Sequence, residues 1–152
     1  GSITVALPTL TPTATPVPTP TPTLITPTPT PTPTSSASSA TWSVGTYVSA
    51  SYSQVGDPTI QTINGTLTVL NGSMEFKVQS LKPYNYGNES TGVLVINGVG
   101  TLTAVCIAGQ TEKTSLSTLT VPPGTYAYTL TAEIEIFGGI TSGTAVTNIL
   151  TV

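Results

Sequence analysis

Histidine and arginine are missing from this 152-residue sequence, and lysine occurs only three times, as Lys77, Lys82 and Lys113. Without an imidazole there is no Ser-His-Asp or Cys-His couple to activate a nucleophile. One cysteine and no histidine cannot close a tetrahedral zinc site. Three cations give a phosphate backbone almost no counter-charge, which argues against nucleic acid as a partner. Charged residues make up 6% of the chain, against about a quarter in ordinary soluble domains. The wet surface must therefore be built from hydroxyls and amides.

Long hydrophobic runs are also scarce. The longest, Val93 to Ile107, is broken by Asn97-Gly98 and Gly100, so no membrane span is expected and the sequence reads as a mature chain without a cleavable signal. Cys106 sits in the apolar run Val105-Cys106-Ile107, where a thiol behaves as a small buried hydrophobe, and a lone cysteine forms no intramolecular disulfide. The carboxylates are Asp57, Glu75, Glu89, Glu112, Glu133 and Glu135. Glu133 and Glu135 share a strand face, an arrangement that a glycosidase pair or a calcium site would use. Two acids at i and i+2 on a wet strand face are ordinarily surface residues, here expected to face Lys77 or Lys113 across a sheet. We expect no catalysis, no cofactor and no metal.

What the sequence has in abundance is Thr, Ser, Gly and Pro. From Pro8 to Thr34 proline alternates with threonine, ending in the pure repeat Thr26 to Thr34. Each proline fixes φ near −65° and pushes the preceding residue toward extended geometry, so this segment cannot be helical. At about 3.1 Å per residue in polyproline II it reaches roughly 80 Å. A plain, O-glycosylated spacer would have this composition. A spacer has no use, however, for Ile3-Thr4-Val5-Ala6-Leu7, which alternates as a strand does, or for the apolar island Leu24-Ile25. These five apolar residues, Ile3, Val5, Leu7, Leu24 and Ile25, are the candidates for a strand donated to another chain. In an extended Thr-Pro strand the backbone groups of all threonines point to one edge and those of all prolines to the other. Such a strand pairs on its Thr edge only.

Residues 1–34 are thus read as an extended arm, 35–40, small and flexible, as a hinge, and 41–152 as one globular domain. The domain shows strand signals throughout and no 3.6-residue period. Trp42, Val44, Val48, Ala50 and Tyr52 recur on one face of a first run with a bulge at Gly45. Thr59 to Leu70 follows, interrupted at Asn64-Gly65; a hairpin is predicted at Asn71-Gly72, leading into Met74, Phe76 and Val78 alternating with Glu75, Lys77 and Gln79. Val93 to Ile96 and Val99 to Ile107 flank Asn97-Gly98 and read as doubly buried strands or a central hairpin. Tyr126 to Ile136 alternates with threonine and glutamate, and Thr144 to Val152 closes the chain after a turn at Gly138-Gly139. The fold class is all-β, with seven or eight strands in one sandwich.

Three Asn-x-Ser/Thr sequons, at Asn64, Asn71 and Asn88, together with the Thr-Pro segment, point to secretion and attached glycans. Val121-Pro122-Pro123-Gly124-Thr125-Tyr126 resembles the turn entering a late strand of immunoglobulin-like domains. In its layout of arm, hinge and Thr/Ser/Gly-rich sandwich with sequons, the chain resembles subunits of archaeal surface threads and bundling pili. The resemblance implies an extracellular, cell-surface structural protein in which the arm of one subunit inserts into the sandwich of the next, giving a helical homopolymer whose partner is itself. The proline content departs from an ordinary donor strand. A Pro-Thr linker on a sandwich is also similar to carbohydrate-binding modules of secreted cellulases, for which Tyr84 and Tyr86 would be the platform; a viral or envelope coat component is a further alternative.

A surface without histidine and with few carboxylates changes its charge little between acid and neutral solution. The thermal midpoint is expected to stay constant between about pH 3 and pH 7, measured by circular dichroism; a sharp drop on acidification would contradict this.

Overall fold

The computed structural model describes residues 1–24, 28, 35–52, 58–83, 87–137 and 142–152. The chain divides into two units, Gly1–Pro33 and Thr34–Val152. In the first, residues 1–24 form neither helix nor strand, and all of them are exposed. The second is built of ten strands: β1 (Ser39–Trp42), β2 (Tyr47–Tyr52), β3 (Thr59–Leu70), β4 (Met74–Leu81), β5 (Asn88–Ile96), β6 (Gly100–Cys106), β7 (Glu112–Thr114), β8 (Leu119–Val121), β9 (Gly124–Ile136) and β10 (Gly143–Thr151). β1 begins inside the stretch read as a hinge, and Ala37 and Ser38 are already held: Ser38 Oγ donates to the Asn71 carbonyl and Asn71 Nδ2 to that of Ala37.

The strands form two antiparallel sheets around one core. The first has the order β1-β3-β9-β5-β6, and the second runs β2-β10-β4-β7, with β8 also paired to β4. β9 alternates as its sequence requires: Tyr128, Leu130, Ala132, Ile134 and Ile136 are buried and the residues between them are not. Facing them from the second sheet are Val48 and Ala50 of β2, Phe76 and Val78 of β4, and Ala145 and Ile149 of β10.

Several local expectations change in the folded chain. The first run is not one bulged strand: at Gly45, whose φ of 116° suits only glycine, the chain leaves the first sheet, and β2 joins the second. Asn71-Gly72 is a turn, with φ of 62° and 141°, but not a hairpin, because β3 and β4 belong to different sheets. The residues adopt positive φ as predicted, yet the reversal carries the chain across the core. Asn97-Gly98 does make a hairpin, between β5 and β6, with Val99 N–H donating to the Ile96 carbonyl. β5 is central, but β6 lies at the sheet edge, and its apolar run is covered on one face only. Two three-residue strands, β7 and β8, bring the count among the described residues to ten rather than seven or eight. The Gly138-Gly139 turn lies outside the described residues.

β3 runs unbroken through Asn64-Gly65. Gly65 stands opposite Tyr128, and a Cβ built there would meet the Tyr128 ring at 2.6 Å. That ring is fixed on three sides. It packs edge-on to Trp42 with centroids 4.8 Å apart, Trp42 packs in turn against Phe76 at 5.2 Å, and the Tyr128 hydroxyl donates to the Gly45 carbonyl at 2.8 Å. Gly65→Ala is therefore expected to cost about 1–3 kcal/mol by overpacking, read as a fall of several degrees in the thermal midpoint. An unchanged midpoint would mean that the ring is free to move aside.

Candidate functional site: open strand edges and the arm

The predicted site residues fall into three groups. Ile3, Val5, Leu7 and Leu24 are exposed, as are Leu10 and Val17, with fractional exposures between 80% and 93%. Ile25 lies outside the described residues, as do Tyr84 and Tyr86. Of the sequons, Asn64 is exposed on β3, where its side-chain oxygen accepts a 2.8 Å hydrogen bond from Thr129 Oγ1 on β9. Asn71 is exposed at the turn between the sheets.

Asn88 is different. It is the first residue of β5, 1% exposed, and its Nδ2 is buried with no hydrogen-bond partner among the described residues. A glycan on that nitrogen does not fit the folded domain. The inward period that places Leu94 and Ile96 in the core, followed back along β5, reaches Gly92, Ser90 and Asn88. The same stepping along β4 from Phe76 and Val78 reaches Ser80 and Lys82, both of which are buried. This inward period is the sequence signal that places Asn88 in the core.

Glu133 and Glu135 lie on the outer face of the first sheet. Their neighbours on β5 are Thr91 and Glu89, not Lys77 or Lys113, which belong to β4 and β7 of the other sheet. Glu89 and Glu135 are directly opposed like charges. Among the described residues no group of three or more His, Cys, Asp or Glu is placed to hold a metal ion. Burial pushes the Cys106 thiol above its ordinary value, against a weaker opposing effect of nearby Lys82 and a hydrogen bond from the Ser90 side chain. The thiol therefore stays protonated and inert through neutral pH.

The backbone presents a more informative feature. Among the described residues six strand edges have no partner: the outer edges of the short strands β1, β7 and β8, each paired on one side only, and three longer ones. β6 pairs only with β5, β2 only with β10, and β3, which β1 covers over Leu67–Leu70, is open from Thr59 to Gly65 on the side away from β9. The outer edge of β4, in contrast, is closed by β8, by β7, and between them by Ser115, whose N–H donates to the Val78 carbonyl and whose Oγ accepts from the Val78 N–H.

Natural sheets blunt exposed edges with lysine, proline or inward charges. None of these three longer edges contains any charged residue or proline: they read Tyr47-Val48-Ser49-Ala50-Ser51-Tyr52, Thr59-Ile60-Gln61-Thr62-Ile63-Asn64-Gly65 and Gly100-Thr101-Leu102-Thr103-Ala104-Val105-Cys106. All three also carry exposed large hydrophobic side chains, Tyr47 on β2, Ile60 on β3 and Val105 on β6, with Ile107 just beyond. The core beneath is complete: Leu67, Val69, Phe76, Val78, Leu94, Leu130 and Ile134 are fully buried within the single chain. An added strand would extend a sheet and not fill a gap in the core.

Among the described residues no helix is long and apolar enough to cross a membrane. Compared with protein-family models, with curated proteins and with solved structures, the chain matches none.

Proposed function

We propose that this chain is a non-catalytic structural subunit of an extracellular filament on the cell surface, assembled head-to-tail as the arm of one copy adds a strand to the sandwich of the next. The observation that carries the reading is the pairing of two unfinished surfaces in one sequence: uncharged, proline-free open edges on the sandwich, and an arm whose alternating apolar residues stand in solvent. Strand addition satisfies both. The contact joins two different surfaces, so it propagates instead of closing into a dimer.

Burial of Ile3, Val5 and Leu7 contributes about 1.5–3 kcal/mol each before the cost of ordering the arm. Backbone hydrogen bonds along the edge add to this. The Thr-Pro repeat supports the same reading, since a strand that pairs on one edge only ends the sheet it joins and leaves no new edge for lateral aggregation. An immunoglobulin-like ancestry for the sandwich is supported by Tyr126, whose hydroxyl donates to the Pro122 carbonyl four residues upstream at 3.0 Å, the arrangement of a tyrosine corner. Exposed Asn64 and Asn71 are the sequons suited to glycans.

The test is negative-stain electron microscopy of the full chain beside one lacking residues 1–34, and beside the full chain with Ile60→Lys and Val105→Lys. Filaments are expected from the full chain alone, and shortening or loss of filaments from whichever lysine falls on the receiving edge. Monodisperse particles from the full chain at high concentration would overturn the proposal.

A further inference from the structure

Lys82 and Asn88 present two anomalies in one place. Lys82 follows β4 with its side chain turned inward, and the residue is 5% exposed. Its Nζ donates to Asn88 Oδ1 at 3.0 Å and to the Gln110 carbonyl, both neutral acceptors. Glu112, on β7, turns instead to Gln79, whose Nε2 donates to it. A buried ammonium compensated only by neutral dipoles is expensive. The second anomaly is the other half of the same pair. Because Nζ can only donate, it fixes which end of the carboxamide faces it, and Asn88 Nδ2 points away, buried and without a partner among the described residues. Its neighbourhood is Gly143, at which a Cβ would lie 3.6 Å from that nitrogen and 3.0–3.6 Å from the Ile134 and Ile136 methyls. An orphaned buried amide nitrogen costs about 1–3 kcal/mol.

One reaction removes both. We propose that Lys82 and Asn88 are joined by an amide bond formed within the folded domain. The Nζ–Cγ bond forms as the carboxamide turns its carbon toward the amine, and the Cγ–Nδ2 bond breaks. Two protons pass from the lysine ammonium to the departing nitrogen, which leaves as ammonium. Atoms and charge balance with no oxidant, reductant or co-reactant. The product replaces a buried cation by a neutral amide, which retains one N–H for the Gln110 carbonyl and the Oδ1 acceptor, while the nitrogen that had no partner is gone.

The surroundings suit such a step. Two residues inward from the pair, Ser80 Oγ and Ser90 Oγ are hydrogen-bonded across the sandwich at 2.8 Å, so the tips of β4 and β5 are held together while belonging to different sheets. The hydroxyl pair keeps Lys82 and Asn88 in register, as proximity-driven chemistry requires. The bond would staple one sheet to the other at the end of the domain where the chain crosses between them. It also excludes a glycan at Asn88, whose nitrogen is expelled.

The test is the intact mass of the full chain purified from a host that adds no glycans. The expected mass is lower than that of the sequence by one ammonia, about 17 Da, and Lys82→Arg restores the full mass. Cleavage after glutamate releases the fragment 76–89, which holds both residues and no Asn-Gly pair; the deficit is expected in that fragment, with no backbone fragmentation between positions 82 and 88. A wild-type chain at full mass overturns the proposal. So does a deficit that persists in Lys82→Arg and maps to Asn64, Asn71 or Asn97, where succinimide formation at Asn-Gly also expels ammonia. Mass is read on the denatured chain, so the result does not depend on the variant folding.

Discussion

β9 is paired along both of its edges, with β3 from Gly124 to Ile134 and with β5 from Tyr128 to Ile136, and the rest of the sandwich takes its register from it. Its inward side chains form the floor on which Phe76, Val78, Val48 and Ile149 of the second sheet rest. Because side chains alternate between faces, a slip of one residue in either ladder would turn Tyr128, Leu130 and Ile134 into solvent and bring threonines into the core. The aromatic contact between Tyr128 and Trp42 extends this control to β1 and, through the hydroxyl bond to the Gly45 carbonyl, to the point where the chain changes sheets. With the centre of the first sheet so determined, its flanks, β6, the short β1 and the part of β3 that β1 leaves uncovered, are left as open edges.

Much of this was legible in the sequence, and the parts that were not share a physical cause. The alternation of β9 and β4 and the Asn97-Gly98 hairpin are local patterns, and they appear where the sequence placed them. Whether a turn returns the chain to the same sheet or sends it across the core is a tertiary matter. Asn71-Gly72 has the residues of a hairpin and makes a crossing, because β4 finds its partners in β10, β7 and β8. Gly65 looked like a break in β3 and is instead the space that the Tyr128 ring requires. β7 and β8, at three residues each, are too short to show a period. At the candidate site, the sequon pattern singled out Asn88 while the inward period of β5 buries it, and the period of β4 turns the cation Lys82 inward as well.

The scarcity of charge ties the edges to the buried pair. In a chain with three lysines, only Lys113 lies on an edge strand, the short β7, while Lys77 lies within β4 and Lys82 is enclosed between the sheets, so none blunts the three longer open edges. Open edges without charge invite another strand, and under the proposed assembly a Thr-Pro arm that pairs on one side would supply one without inviting more. With a closed, fully packed core beneath those edges, each subunit of the proposed filament would be folded before it is joined. The proposed link between subunits would then rest on backbone hydrogen bonds and the burial of a few arm side chains.

Hydrogen exchange along the open edges tests this account most directly, because it reads the backbone bonds themselves. Amides of residues 47–52, 59–65 and 100–106 would be followed in the full chain at assembling concentration and in the chain lacking residues 1–34. Strand addition predicts that one of these three edges exchanges roughly tenfold or more slowly in the full chain while the other two are unchanged. Equal rates at all three edges in both chains would contradict it.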